Sequence, residues 1–235
     1  MKHIVVTGAS RGIGYELVKQ FCAKEDVKIL ALSRNAEKLN ELKSYCDSNY
    51  SNSELIVLAY DLAEEDYSKD LLPLIEAQFP SVDVLINNAG YLVAKPFTEL
   101  SSKELFDMYN VNVFAAFRLT QLLFSRFKAT SHVVNVSSVG GIQGSVKFPG
   151  LSAYSSSKAA MVSLTECLAE EYKDHGVAVN CLALGAVQTE MLEEAFPAYQ
   201  APLSAEQMAS YICDFASKGH QYYKGKILPV SMSTP

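Results

Sequence analysis

A tyrosine and a lysine stand four positions apart in the segment SAYSSSKAA, as Tyr154 and Lys158. If this segment is helical, the two side chains share one face and the lysine ammonium can sit beside the phenol. A nearby cation favours phenolate and lowers the phenol pKa from about 10, which would make the tyrosine a usable acid. The spacing alone does not decide, because the same Tyr-x-x-x-Lys pattern recurs at 15–19, 91–95 and 222–226.

The elements that would position such a pair are visible in the hydropathy pattern. Short, almost continuously apolar runs alternate with amphipathic segments, which is typical of parallel strands covered by helices on both faces. Strands are predicted at 3–7, 28–32, 55–60, 82–86, 132–136, 178–183 and 227–230. Helices are predicted at 13–23, 36–46, 67–78, 103–127, 153–173 and 205–217, with capping boxes at 101–104 and 204–207. We therefore expect one α/β domain over residues 1–235, a doubly wound, mostly parallel seven-stranded sheet of the Rossmann type.

The composition limits the class of protein. Of the 235 residues, 49% are hydrophobic and 20% are charged, as in soluble globular domains. The formal net charge of −6 opposes a phosphate backbone, so we expect no nucleic-acid partner. The longest apolar stretch, at 111–127, is interrupted by polar residues, and the N-terminal residues lack a signal-peptide pattern. We expect no membrane partner and a cytoplasmic location.

Cysteine and histidine residues are dispersed along the chain. The five cysteines include no Cys-x-x-Cys pair, and the four histidines are equally scattered. Neither residue type has the spacing of metal ligands. We expect no metal site.

A glycine-rich turn follows the first predicted strand, in VVTGASRGIGYELV at 5–18. Glycines let the backbone approach a phosphate closely, and the start of the next helix presents free N–H groups and a positive dipole end. The spacing of Gly8, Gly12 and Gly14 departs from the G-x-G-x-x-G fingerprint, and the turn lacks the ending of a P-loop. Taken alone, it predicts an anion site but also fits a βα turn without a ligand.

The residues after the second predicted strand bear on the choice of nucleotide. NAD-specific sites carry an acidic residue there for the ribose hydroxyls. This chain has Ser33 and Arg34 instead, and a guanidinium suits a 2′-phosphate, with Arg11 as a second contact. We therefore expect NADP(H) to be preferred over NAD(H). The alternative for Arg34 is a helix-capping or surface arginine.

Seven short motifs occur in order, most of them at predicted strand ends: TGASRGIG at 7–14, DL at 61–62, NNAG at 87–90, VNV around Asn112, NVSS at 135–138, YSSSK at 154–158 and LGAVQT at 184–189. With this set, the chain resembles the short-chain dehydrogenase/reductase family in its compact, single-domain form. The resemblance covers nearly the whole chain. It places the Tyr154 pair at the start of a helix beside the cofactor cleft, which the other three pairs lack.

The resemblance implies roles for individual residues. The implied catalytic residues are Asn112, Ser138, Tyr154 and Lys158. The implied cofactor contacts are Gly8, Ser10, Arg11, Gly12, Ile13, Gly14, Ser33, Arg34, Asp61, Leu62, Asn88, Ala89, Gly90, Tyr154, Lys158, Gly185, Val187 and Thr189, with Asn87 beside Ala89. Ser138 would hold the substrate oxygen and Tyr154 would donate the proton. Lys158 would tune Tyr154 and bind the nicotinamide ribose, and Asn112 would hold a relay water.

Three segments on the substrate side do not decide which substrate is bound. The interval from Ser138 to Tyr154 spans sixteen positions, longer than the family pattern, with the surplus in GSVKFPG at 144–150. Lys147 in that surplus would either favour an anionic substrate or be solvated. Leu184 stands before Gly185, where the family usually has proline. The segment 188–203 is predicted to be a substrate-side loop or lid with Met191, Leu192, Phe196 and Tyr199, the alternative being simple surface packing.

The expected function is therefore an NADP(H)-dependent oxidoreductase of the carbonyl or 3-oxoacyl reductase type. It would transfer a hydride between the nicotinamide and a small carbonyl or alcohol substrate, as a homodimer or homotetramer. One alternative is a catalytically silent dinucleotide-binding sensor or scaffold, against which the intact catalytic set argues. A nucleotide-sugar epimerase or dehydratase shares the Tyr-x-x-x-Lys pattern, but the short region after residue 190 leaves little room for its substrate domain.

Overall fold

Parallel strands form the centre of the computed structural model, which describes residues 1–24, 26–64, 66–69 and 71–232. The strands are β1 (Lys2–Thr7), β2 (Val27–Ser33), β3 (Ser53–Ala59), β4 (Val82–Asn87), β5 (Phe127–Ser138), β6 (Ala178–Leu184), β7 (Val187–Gln188), β8 (Leu203–Ser204) and β9 (Ile227–Val230). One seven-stranded sheet has the order β3-β2-β1-β4-β5-β6-β9, and its described pairs are all parallel. The fold class is confirmed. The strand order reverses between β1 and β4, where such sheets bind ligands.

Helices cover both faces of this sheet. They are α1 (Gly12–Lys24), α2 (Ala36–Asn49), α3 (Leu71–Gln78), α4 (Ser102–Tyr109), α5 (Ala115–Leu123), α6 (Ser152–Glu171), α7 (Glu190–Ala195) and α8 (Ala205–Lys218). Two hydrophobic clusters result, one against α1, α2 and α8 and one against α3 and α5. In β1, Ile4 and Val6 belong to the first cluster and Val5 to the second, which explains the continuous apolar runs. Within the described residues, no helix has the length and apolarity needed to cross a bilayer.

The observed elements differ from the predicted ones in three places. The predicted helix 103–127 is divided, because a π-helical turn at Asn110–Phe114 separates α4 from α5 and β5 already begins at Phe127. The predicted helix 67–78 begins at Leu71, after a turn in which Asp66 accepts a hydrogen bond from Ser68 N. The predicted lid contains β7, α7 and β8. Residues 25, 65, 70 and 233–235, which the predicted domain includes, lie outside the described part.

Candidate active site

A cleft of about 410 Å³ opens at the carboxyl ends of the strands beside the switch point. The glycine turn after β1, the ends of β2, β4 and β5, the first turns of α6 and the segment around α7 form its walls. It lies within the size range of small-molecule sites. All the predicted site residues line this cleft except Gly14, Asn87 and Asn112. The fold therefore brings the separate motifs together.

The glycine turn is shaped for close backbone approach. Gly8 has φ of 70° and Gly12 has φ of 54°, a left-handed conformation that side chains with a Cβ rarely adopt. A Cβ on Gly14 would lie 2.2 Å from the Gly8 carbonyl oxygen. Gly14 thus allows α1 to start directly against the turn. The N–H groups at the start of α1 consequently face the cleft, where a pyrophosphate would fit.

The NNAG segment is held against the glycine turn. Thr7 Oγ1 accepts hydrogen bonds from Asn88 N at 3.0 Å and Ala89 N at 2.9 Å, while Asn88 Nδ2 donates to Thr7 O at 3.0 Å. Asn87 points the other way. It is buried, and its amide donates to Asn135 Oδ1 at 2.8 Å. Its implied place beside the cofactor is corrected, because the end of β4 turns this side chain into the sheet layer.

The two arginines of the predicted 2′-phosphate site have different surroundings. Arg34 is exposed, and among the described residues its guanidinium has no ion pair or hydrogen bond. Beside it, Ser33 Oγ donates to Ser10 Oγ at 2.6 Å. Arg11 donates to both carboxylate oxygens of Glu194 in α7, and this hydrogen bonding raises the Arg11 pKa against the opposing effect of burial. A phosphate contact by Arg11 would require it to leave Glu194.

Ser138 and Tyr154 meet at the inner end of the cleft. Ser138 is the last residue of β5, and Tyr154 lies in the first turn of α6 with its side chain partly exposed to the cleft. Burial raises the pKa of Tyr154 to about 12, and the hydrogen bond between the two side chains acts in the opposite direction. The expected lowering of this pKa by Lys158 is therefore not found in this structure.

Lys158 lies one turn further along α6 with only 4% of its surface exposed. Its ammonium is 5.8 Å from the centre of the Tyr154 ring and donates to the backbone oxygen of Val136 at 3.0 Å. Burial lowers the pKa of Lys158 to about 8. The main effect of burial on both groups is to favour their uncharged forms.

Asn112 is buried within the π-helical turn and supports the site from behind. Its Nδ2 donates to Tyr91 O and Ser157 Oγ, both at 2.9 Å, and its Oδ1 accepts from Tyr91 N at 2.7 Å. Ser157 Oγ in turn donates to Tyr154 O at 2.7 Å. This network joins the segment after β4 to the turn of α6 that carries Tyr154. Sequence reasoning missed Ser157, for which the available signal was a serine inside a helical pattern, where its hydroxyl needs a hydrogen-bond partner.

The outer part of the cleft is apolar. The predicted lid residues Met191, Leu192, Phe196 and Tyr199 all line it, so they are more than surface packing. Sequence reasoning missed further lining residues, among them Leu92, Val139, Phe148 and Leu151. They lie mostly in irregular segments, where no hydrophobic period indicates which side chains face inward.

Comparison with known proteins agrees with this geometry. The family model described as short chain dehydrogenase matches residues 2–200. Gluconate 5-dehydrogenase of Gluconobacter oxydans is 34% identical over 80% of this chain and 72% of its own length. A short chain dehydrogenase from Escherichia coli CFT073 complexed with NADPH is 28% identical, covers 97% of this chain and 95% of its own, and has a TM-score of 0.85. A Burkholderia cenocepacia short chain dehydrogenase in complex with NADP has the same fold, at 23% identity, a TM-score of 0.88 and 99% and 97% coverage. The chain belongs to the short-chain dehydrogenase family of oxidoreductases.

Proposed function

We propose that this protein is an NADP(H)-dependent oxidoreductase that interconverts a carbonyl compound and its alcohol, with Tyr154 as the general acid and base. The observation that carries the proposal is the contact between Ser138 and Tyr154 at the inner end of a cleft whose other end is the glycine turn. A dinucleotide held along the cleft would bring its reactive ring to the two hydroxyl groups. The family membership supports the same assignment.

The residues of the cleft fit a dinucleotide. The turn from Gly8 to Gly12 and the start of α1 would hold the pyrophosphate. The adenine would lie by Asp61 and Leu62, and the nicotinamide by Gly90, Gly185, Val187 and Thr189. Thr189 Oγ1 accepts a hydrogen bond from Leu192 N, which caps α7 and fixes this hydroxyl at the cleft. Bound NADPH would supply the hydride.

The protonation states of the site suit carbonyl reduction. With a pKa of about 12, Tyr154 carries its proton at neutral pH and donates it to the substrate oxygen as that oxygen gains negative charge. Ser138 donates a hydrogen bond to the same oxygen, which stabilises the transition state more than the ground state. Lys158, with a pKa of about 8, is mainly charged at pH 7 and stabilises the tyrosinate that proton transfer leaves behind.

Preference for NADP(H) rests on Arg34. Its guanidinium is unpaired among the described residues and lies beside the hydroxyl groups of Ser10 and Ser33, a donor set that suits a 2′-phosphate. We expect Arg34→Asp to shift the ratio of kcat/KM for NADPH over NADH towards NADH by roughly tenfold or more. Arg126→Asp, at a partly exposed arginine outside the cleft, should leave that ratio unchanged.

The test of the function is a nicotinamide absorbance assay with NADPH and NADH against ketones, aldehydes and 3-oxoacyl thioesters. We expect oxidation of NADPH by at least one class, and NADPH binding that survives Tyr154→Phe while turnover does not. Tight NADPH binding without turnover of any carbonyl compound would favour the silent dinucleotide-binding alternative.

The proposal includes a homodimer or homotetramer. Phe106 and Phe117, on α4 and α5, are 61% and 47% exposed, more than expected for phenylalanines on a surface without a partner. A second copy of the chain would cover them. Light scattering should give a mass above 25.7 kDa, and Phe106→Glu with Phe117→Glu should lower it.

A further inference from the structure

Among the described residues, no cation other than Lys158 lines the substrate end of the cleft, where it could bind an anionic substrate. Of the charged residues lining the cleft in the described part, Arg11, Arg34 and Asp61 belong to the nucleotide end. Glu190 is close to Gly12, since its Oε2 would be 3.5 Å from a Cβ placed there. Lys158 donates to the Val136 carbonyl behind Tyr154. A carboxylate or phosphate on the substrate would therefore be desolvated without a partner, which is costly.

Lys147, the one sequence feature that pointed to an anionic substrate, is engaged elsewhere. Its Nζ donates to Gly140 O, Ile142 O and Ser145 Oγ, each at 2.7 Å. An ammonium has three donors, so these bonds use all of them. Lys95, which lies next to the same loop, forms an ion pair with Glu104 at 2.6 Å.

The bonds of Lys147 close the long loop on itself and place its neighbour. Phe148 follows directly and lines the cleft. Phe148 O accepts from Leu151 N at 3.2 Å, and Gly150 O accepts from Lys95 N at 3.0 Å, so the chain is held up to the start of α6. Phe148 is consequently fixed relative to Tyr154 in the first turn of that helix.

From these contacts we infer that the site takes an uncharged carbonyl compound with an apolar body, that Phe148 forms a wall for this body, and that Lys147 is the positioning residue that holds the wall. The inference rests on the proposed carbonyl chemistry and adds its substrate class. Leu92, Leu151, Met191 and Phe196 complete the apolar surface around the reacting oxygen.

The first experiment compares pairs of ketones that differ only in one remote charge. Acetophenone is paired with para-acetylbenzoate. An aliphatic methyl ketone is paired with the keto acid that has the same chain and a terminal carboxylate. We expect kcat/KM with NADPH to favour the neutral member of each pair by roughly tenfold or more, because the carboxylate loses its hydration on entry. Equal values, or a preference for the carboxylates, would overturn the inference.

The second experiment tests Phe148 and Lys147 against matched controls. Phe148→Ala should raise KM for acetophenone roughly tenfold with kcat little changed, and should alter KM for butanone less than about twofold. Val146→Ala, in the same loop but outside the cleft, is the control. Lys147→Met should raise KM in the same direction by a smaller factor, whereas Lys103→Met, on exposed α4, should not. A Lys147→Met enzyme with parental KM values, or one with kcat reduced equally for every ketone, would contradict the positioning role.

Calorimetric binding to the NADP-loaded protein separates failure of the inference from failure of the proposed function. Neutral ketones should bind more tightly than their carboxylate partners whether or not turnover follows. If this selectivity is present without turnover, the chemistry is wrong and the substrate class stands. If neither ketone of a pair is preferred in binding, the inference fails even when NADPH is oxidised.

Discussion

Two tyrosine–lysine pairs with the same spacing lie near the starts of two helices, Tyr15 with Lys19 in α1 and Tyr154 with Lys158 in α6. The ammonium lies 5.5 Å from the ring centre in the first pair and 5.8 Å in the second. Local geometry is therefore almost the same. Their surroundings differ, and these determine what each pair can do.

Lys19 has an acid beside it and Lys158 does not. Lys19 forms an ion pair with Glu16 at 2.9 Å, and although burial acts to lower the Lys19 pKa, the hydrogen bond and charge of Glu16 raise it overall. Among the described residues no carboxylate pairs with Lys158, and burial lowers its pKa to about 8. The negative charge of Glu16 offsets the electrostatic stabilisation that the Lys19 ammonium could give to a neighbouring phenolate. The comparison indicates that the spacing does not separate the two pairs, whereas the missing acid and the cleft do.

Replacing each tyrosine in turn by phenylalanine should give the largest difference in kcat between the two pairs. Tyr154→Phe removes the proton donor, and we expect kcat to fall by about a hundredfold to ten-thousandfold while NADPH binding is retained. Tyr15→Phe removes an equivalent hydroxyl from α1 and should leave kcat within about twofold. The measurements are steady-state NADPH oxidation and fluorescence titration of NADPH. Similar losses in both variants would mean that neither phenol has a specific role.

Replacing each lysine in turn by methionine should give the second-largest difference in kcat. Lys158→Met removes the charge that stabilises tyrosinate and should lower kcat by roughly a hundredfold. Lys19→Met breaks a half-buried ion pair within α1 and should leave kcat unchanged while lowering the free energy of unfolding by about 1 kcal/mol. Activity and urea unfolding are measured on both proteins at pH 7. A Lys158→Met enzyme with parental kcat would disprove the electrostatic role.

The pH dependence of the free energy of unfolding should also distinguish Lys158 from Lys19. The folded pKa of Lys158, about 8, is below its unfolded value of 10.5, so the unfolded chain binds more protons between these limits. The free energy of unfolding should therefore rise by about 2 kcal/mol between pH 8 and pH 10, relative to Lys158→Met. The raised pKa of Lys19 acts in the opposite sense, its contribution being lost as pH increases. Urea unfolding of the parent protein and of Lys158→Met at several pH values tests this. If the difference between their free energies of unfolding stayed constant with pH, the lowered pKa of Lys158 would be contradicted.

Much of the fold could be predicted because it follows from repeating patterns. Continuous apolar runs indicated the parallel sheet, and the capping boxes at 101–104 and 204–207 are both present. Motifs at the ends of parallel strands had to meet at one edge, which is why the cleft was foreseen. The π-helical turn at Asn110–Phe114 could not be predicted, because one wider turn hardly disturbs a helical hydrophobic period.

The finer properties of the site could not be predicted, because they depend on contacts between distant segments. The Tyr154 pKa follows from the groups that bury it, not from its spacing to Lys158. An exposed loop lysine such as Lys147 looks the same in sequence whether it faces solvent or binds backbone carbonyls. Phe148 lies in a loop without a period, so nothing in its neighbourhood indicated that it faces the cleft.

The smallest expected effect concerns the two serines that precede Lys158. Ser157 is fully buried and joins Asn112 to the Tyr154 carbonyl, whereas Ser156 is exposed and, among the described residues, bonds only to Ala153 O of its own helix. Ser157→Ala leaves an Asn112 amide hydrogen without a partner and should lower the free energy of unfolding by about 1–2 kcal/mol. Ser156→Ala should change it by less than about 0.5 kcal/mol. Ser157→Ala should also lower kcat several-fold by loosening the turn that carries Tyr154. If urea unfolding and kcat were the same for both serine variants, the rigidity of this turn would not be part of what separates the α6 pair from the α1 pair.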